Sequence, residues 1–180
     1  MTLSTPALRT ARLDLEPLRV EHAEEMVGLL ADRALYTFYD DEPSPTLEEL
    51  RDRYARQSLG RSADGSEVWH NWILRVRATG AAAGFMQATV RGAVAELAWV
   101  VGTAYQRQGL AAEAALAVRE ALAPSGSGVD VVAHIAPGHA ASHAVARRLG
   151  LAPTAEVDAD GEVLWASADH PGISTSRDRA

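Results

Sequence analysis

The sequence predicts one α/β (α+β) domain, a mixed and mostly antiparallel sheet of seven strands with four flanking helices. Three observations predict it. The chain has 180 residues, 47% hydrophobic and 23% charged, the composition of one globular core with little room for a second. Between residues 69 and 101 three runs with a period of two follow one another across short turns, which is the pattern of an antiparallel meander. Between residues 93 and 135 a strand, a helix and another strand succeed each other, and that order needs a crossover, so the two strands pair in parallel.

Taken in order, Ala11 to Leu18 alternates, with Leu13 and Leu15 between polar Arg12, Asp14 and Glu16, and reads as a half-buried strand ended near Pro17. Glu21 to Asp32 is helical, since Ala23, Met26, Val27 and Leu30 recur at three and four and the acids crowd its first turns. Thr46 and Glu49 have capping-box spacing, and the helix they open runs to about Leu59 with Leu47, Leu50 and Tyr54 on one face. The meander follows: Trp69 to Arg77, Ala82 to Val90 and Ala93 to Val101. Gly109 to Ala123 returns to helical spacing and ends at Pro124 to Gly128, after which Val129 to Ile135 reads as a buried strand. His139 to Leu149 is a helix closed by Gly150 at C′, with Leu151 placed for the hydrophobic contact that accompanies such an end. Two short strands, about Ala152 to Val157 and Glu162 to Ser167, flank a turn at Asp158 to Gly161. One domain over residues 1–168 and a flexible tail over 169–180 are expected.

Composition narrows the chemistry. There is no cysteine, which excludes disulfides, thiolate metal sites and a cysteine nucleophile. All 17 basic residues are arginine, so Schiff-base lysines and a Walker-type phosphate lysine are excluded as well. A net charge of −7 disfavours nucleic acid as a partner. No apolar run approaches the roughly 18 residues of a membrane span, and the first residues lack an apolar signal core, so a cytoplasmic protein without membrane contact is expected. The acidic excess is uneven, with 12 acids against 7 arginines in residues 1–60. It reads either as a solvated face or as a surface that attracts cationic substrates.

The segment from Ala95 to Ala114 holds the chemistry. A strand end, a short loop and a helix start bring unpaired backbone N–H groups to the end of a central strand, and Gly109, Ala111 and Ala112 keep side chains out of the way of an anion. His134, His139 and His143 invite a metal reading, the last two being four apart on one helix, but carboxylate and cysteine partners are missing nearby and no metal is expected. Trp69, Tyr36, Phe38 and Tyr39 are candidates for an acceptor pocket, with Trp72 assigned to the core.

The run Gln106-Arg107-Gln108-Gly109-Leu110-Ala111 resembles the Q/R-x-x-G-x-G/A signature of the GNAT acetyltransferase superfamily, and the wider string resembles its RimJ/RimL-type branch. Thr10 to Leu18 is similar to that branch's opening strand, and His139 to Ser142 with Arg147-Arg148-Leu149-Gly150-Leu151 is similar to its N-x-x-S helix ending in K-L-G-F. The resemblance spans about residues 10–168. It implies that the parallel strands splay apart around acetyl-CoA, whose pantetheine pairs with Trp99, Val100 and Val101. It further implies that the pyrophosphate rests on the amides of Gln106, Arg107, Gln108, Gly109, Leu110, Ala111 and Ala112, with Arg107 or Arg147 at the remaining phosphate.

Catalytic roles are likewise implied by the resemblance. Glu96 stands where many members carry a catalytic glutamate, and Ser142 matches a serine that protonates the CoA sulfur. For Glu96 an exposed strand glutamate is the alternative; for Ser142, a local hydrogen bond to backbone. Two positions depart from the pattern: Ala146 replaces the tyrosine acid of many members, and His139 replaces the asparagine that meets pantetheine. The reading is an N-acetyltransferase in which a primary amine, of a protein N-terminus or a small molecule, attacks the thioester directly. A homodimer is allowed but not specified. The alternative function is a non-catalytic acyl-CoA-binding sensor of the same fold.

Overall fold

The computed structural model describes residues 5–38, 45–123 and 129–170. Tyr39, the acids Asp40, Asp41 and Glu42, the helix-ending run 124–128 expected from the sequence and residues 171–180 lie outside them.

Eight strands among the described residues form one sheet in the order β1-β2-β3-β4-β5-β6-β8-β7. They are β1 (Leu8–Arg9), β2 (Leu13–Pro17), β3 (Val68–Val76), β4 (Ala82–Arg91), β5 (Val94–Val101), β6 (Asp130–Ile135), β7 (Ala152–Val157) and β8 (Val163–Ala166). The expected count of seven is corrected to eight by β1, a two-residue edge strand paired with β2 through Leu8↔Leu15 and Arg9↔Asp14. Every neighbouring pair is antiparallel except β5 and β6, which run parallel as the crossover requires.

Four α-helices among the described residues cover the sheet: α1 (Ala23–Leu30), α2 (Leu47–Gln57), α3 (Leu110–Leu122) and α4 (Ala140–Arg148). α1 is shorter than its apolar period suggests, because 3₁₀ turns at Val20–His22 and Arg33–Tyr36 take up the flanking residues. The capping box of α2 forms as expected, Glu49 N–H donating to Thr46 Oγ1 and the Glu49 carboxylate accepting from Thr46 N–H. α4 ends on Gly150, where the N–H groups of Gly150 and Leu151 donate to the carbonyls of Arg147 and Ala146 and so satisfy the last turn.

The sheet is buried on both sides. Leu13, Leu15, Trp72, Leu74, Met86 and Leu97 pack with Leu110, Ala114 and Val118 of α3 and Val145 and Ala146 of α4. Ile73, Phe85 and Val100 pack on the opposite face with Met26 and Leu30 of α1 and Leu50 and Tyr54 of α2. Alternation along β5 therefore sends Glu96, Ala98 and Val100 to the α1/α2 face, and Leu97, Trp99 and Val101 to the α3/α4 face. Arg75 ties α1 to the sheet by pairing with Glu16 at 2.9 Å and Glu25 at 2.7 Å.

Candidate active site

The parallel pair separates partway along its length. β5 and β6 are in register only at Val94↔Asp130, Ala95↔Val131 and Glu96↔Val132. β5 stays on β4 as far as Val101, while Ala133 to Ile135 of β6 pair with β8. The β5 edge from Leu97 to Val101 thus faces no strand among the described residues; Val101 C=O accepts from Gln106 Nε2 at 2.9 Å, and the remaining outward groups have no strand partner. A cavity of about 430 Å³ opens there, with Trp99, Val100 and Val101 in its wall.

The loop after β5 supplies the anion-binding part. Gly109 has φ +77° and begins α3, and Arg107 has φ +62°, an uncommon conformation for a side-chain-bearing residue. These two residues turn the chain so that the amides at the helix start are presented together. The first backbone bond of α3 runs from Glu113 N–H to Gly109 C=O at 3.1 Å, so Leu110, Ala111 and Ala112 keep amides with no acceptor in the helix. All three, with Gln106, Arg107 and Gly109, line the cavity. Gln108 does not line it, but its carbonyl accepts from Arg12 at 2.8 Å and its amide donates to Ala104 C=O at 3.3 Å. Arg12 is locked in turn on Glu113 at 2.6 Å, and Glu113 also accepts from Thr10 Oγ1 at 2.6 Å. Burial pushes the Glu113 carboxyl up, but these hydrogen bonds outweigh it and hold the group below the ordinary range. The loop is therefore braced from the opening strand.

α4 forms the facing wall. His139 caps it, with Nδ1 accepting from Ser142 N–H at 3.3 Å, so in the neutral ring the proton sits on Nε2. Burial lowers the His139 pKa, and Phe38 stacks on the ring at a centroid distance of 4.4 Å. Ser142 is 8% exposed and lines the cavity, and its Oγ makes no protein hydrogen bond among the described residues. Arg148 lines the cavity too, whereas Arg147 lies over the Trp165 ring at 5.5 Å. Of the two arginines expected near the phosphates, Arg107 is at the cavity and Arg147 is not; Arg148, its neighbour in sequence, lines the cavity instead.

Glu96 stands apart from the cavity lining, at the last register pair before β5 and β6 separate, on the α1/α2 face. Its Oε2 accepts from Arg91 at 3.0 Å and its Oε1 lies 2.9 Å from His134 Nδ1. Nearby, Glu162 has a buried Oε1 without a hydrogen-bond partner, and burial first, then Asp158, raise its pKa. Nothing local in the sequence marks Glu162 or His134 as part of this cluster. His143 belongs to other contacts, its Nε2 donating to Ala136 C=O at 3.1 Å and its ring stacked on Trp165. The three histidines thus go to three places, and no group of three or more His, Asp or Glu side chains suited to a metal occurs among the described residues. Trp72 is in the core, Trp69 donates to Glu67 at 2.7 Å, and Tyr36 Oη donates to Leu30 C=O.

The model of the acetyltransferase (GNAT) domain matches residues 12–152. The chain belongs to the GNAT acetyltransferase family. No curated protein sequence matches it. Among solved structures it is similar to a Bordetella pertussis protein assigned to the GnaT acetyltransferases, with 27% identity over 91% of this chain and 99% of that one and a TM-score of 0.72. It is also similar to RimL, the ribosomal L7/L12 alpha-N-protein acetyltransferase, in complex with coenzyme A (20% identity, 91% and 96% covered, TM-score 0.72). A third is the Salmonella typhimurium acetyl transferase that modifies the N-terminal serine of ribosomal protein L7/L12 (19% identity, 87% and 95% covered, TM-score 0.71). This GNAT domain takes acetyl-CoA as its cosubstrate, and the residues present fit it: an unpaired strand edge, free helix amides and two arginines around one cavity. No helix among the described residues is long and apolar enough to cross a membrane.

Proposed function

We propose that this acetyltransferase transfers acetyl to a primary amine, of a protein N-terminus or a small molecule, by direct attack within one ternary complex. The observation that carries the reading is the opening between β5 and β6, which holds a cavity walled by α3 and α4 and by Leu35 and Val100, with the Glu96 cluster beside its closed end. Acetyl-CoA supplies the activated acyl group. The amides of Leu110, Ala111 and Ala112, with Arg107 and Arg148, hold its negative charges, and the open β5 edge pairs with its extended arm. His139 offers Nε2–H as the donor that an asparagine would provide. Ser142 Oγ, free of protein partners among the described residues, passes a proton to the departing sulfur, and the Glu96 cluster stands on the side proposed for the amine, where it serves the amine's loss of a proton. The chain has no cysteine, in keeping with a route that forms no covalent acyl-enzyme.

The test is thiol release from acetyl-CoA with a panel of amines, including peptides with free N-termini and polyamines. Turnover with at least one amine is expected. Ser142→Ala should lower kcat about 10- to 100-fold and leave CoA affinity unchanged. CoA binding without turnover for any amine would instead identify a sensor.

A further inference from the structure

A chain of hydrogen bonds crosses four strands at the closed end of the gap, and its last member has an unused nitrogen. Trp69 Nε1 donates to Glu67 Oε2 at 2.7 Å, and Arg91 Nε donates to Glu67 Oε1 at 2.7 Å. Arg91 then donates to Glu96 Oε2 at 3.0 Å, and Glu96 Oε1 meets His134 Nδ1 at 2.9 Å. A carboxylate only accepts, so His134 Nδ1 carries the hydrogen and, in the neutral ring, Nε2 carries the lone pair. No other hydrogen bond to His134 is present among the described residues, and its side chain is 24% exposed. His134 lies on the same face as Val132, two residues past the last β5–β6 register pair, where the strands have begun to separate. Glu96, by contrast, has both oxygens engaged.

We infer that His134 is the group that takes the proton from the acceptor ammonium, and that Glu96, held by Arg91 and Glu67, is a positioning residue that fixes the ring's tautomer. The inference rests on the amine acceptor proposed above and refines how Glu96 acts there. In the step, one proton moves from the ammonium nitrogen to His134 Nε2 and later to solvent. The freed lone pair forms the C–N bond as the C–S bond breaks; Ser142 gives its proton to the departing sulfur and regains, through solvent, the second proton that the nitrogen sheds, so that ammonium and thioester yield amide, thiol and the one proton that leaves by way of His134. The charged groups around the ring are Glu96 on β5, Arg91 on β4 behind it, and Glu162 ahead of β8, while Leu164 is its register neighbour on β8.

Two measurements on the whole protein test this. The first follows kcat/KM against pH with the best amine of the panel. His134→Gln should lower kcat/KM at least 30-fold at neutral pH, leave CoA affinity and the melting temperature near those of the wild type, and abolish the fall in activity on the acid side. Glu96→Gln should keep a measurable acid-side fall but displace it, with kcat reduced more than KM is changed. The second reads the tautomers by long-range proton–nitrogen correlation on histidine-labelled protein at pH 8, with His134 assigned by loss of its signal in His134→Gln. Nδ1–H is expected, moving towards the Nε2–H form in Glu96→Gln. A His134→Gln enzyme within threefold of the wild type, an acid-side fall that survives it and disappears in Glu162→Gln, or an Nε2–H ring in the wild type would each overturn the inference while leaving the acetyltransferase reading intact. Absence of turnover by the wild type with every amine would strike the function reading itself and the inference with it.

Discussion

On the side of the gap proposed for the cofactor the groups at the cavity are backbone amides and side chains of one stretch, Gln106 to Ala112 without Gln108, held in shape by Arg12 and Glu113. On the side proposed for the acceptor they are side chains from β3, β4, β5 and β6 that meet only when the sheet is assembled. The first arrangement suits a ligand part that never changes, because a phosphate needs fixed donors and nothing else. The second suits a task in which charge moves, because only side chains gain and lose protons. A single substitution should therefore do its damage differently on the two sides, by blocking approach on one and by unsettling charge on the other.

The largest effect is expected from Gly109→Val. Gly109 has φ +77°, a conformation that a β-branched residue adopts at a cost of about 1–2 kcal/mol, and the added side chain would stand at the start of α3 where the amides are free. Affinity for CoA should fall at least ~100-fold, or about 2.7 kcal/mol, and the thermal shift produced by CoA should vanish. If the variant bound CoA within threefold of the wild type by calorimetry, the loop backbone would not be the anchor of the cofactor half.

That difference also explains what could be read from the chain alone. The strand end, loop and helix start around Gln106 to Ala112 were legible because the turn depends on residues adjacent in sequence, and the end of α4 because Gly150 and Leu151 act on the turn just before them. Trp72, assigned to the core from the sequence, lies there with Leu74, but the period of two in β3 could not show that α1 and α2 bury Ile73 on the second face. β1 was missed since two residues carry no period, and its pairing depends on Leu15 being opposite Leu8. His134 gave no sign of meeting Glu96, because a contact across 38 positions is set by strand register and by the point where β5 and β6 part. Arg148 and Arg147 are neighbours in sequence, and only the orientation of α4 sends one to the cavity and the other to Trp165.

A smaller effect is expected from Arg75→Met, which loosens the acceptor half by cutting α1 from the sheet. Arg75 is the main reason that Glu16 and Glu25 have lowered pKa values, through the hydrogen bonds it donates to each. Carboxyls with depressed values in the fold stabilise it at pH above their unfolded range, near 4.3, and that contribution is lost as pH falls through the folded values. The variant should lose on the order of 1–2 kcal/mol at pH 7, between the worth of an exposed pair and a buried one. Its stability should also fall less steeply than the wild type's between pH 5 and 3. Urea unfolding across that range checks both, and an unchanged pH slope would show that the helix is held by its apolar face alone.

The smallest effect joins the two halves. His139 is on the cofactor wall, yet its ring stacks on Phe38 from the α1–α2 connection, the acceptor side. Burial first, and His143 among the further influences, keep its pKa below the ordinary histidine value. A histidine that resists protonation in the fold stabilises it above about pH 6.5, and the contribution disappears as pH falls from there through the folded value. Asparagine is a good helix cap and does not titrate, so His139→Asn should preserve α4 while losing the stack, for a net cost of about 0.5–1 kcal/mol at pH 8. His22 and His70, also lowered by burial, remain in the variant, so the decline in melting temperature between pH 7 and 5.5 should become shallower without disappearing. The CoA-induced shift should in turn become less dependent on pH over the same interval, because protonated His139 can no longer accept from Ser142 N–H and that amide anchors the serine at the cavity. Parallel pH dependences in the two proteins would mean that the ring only fills space between the halves.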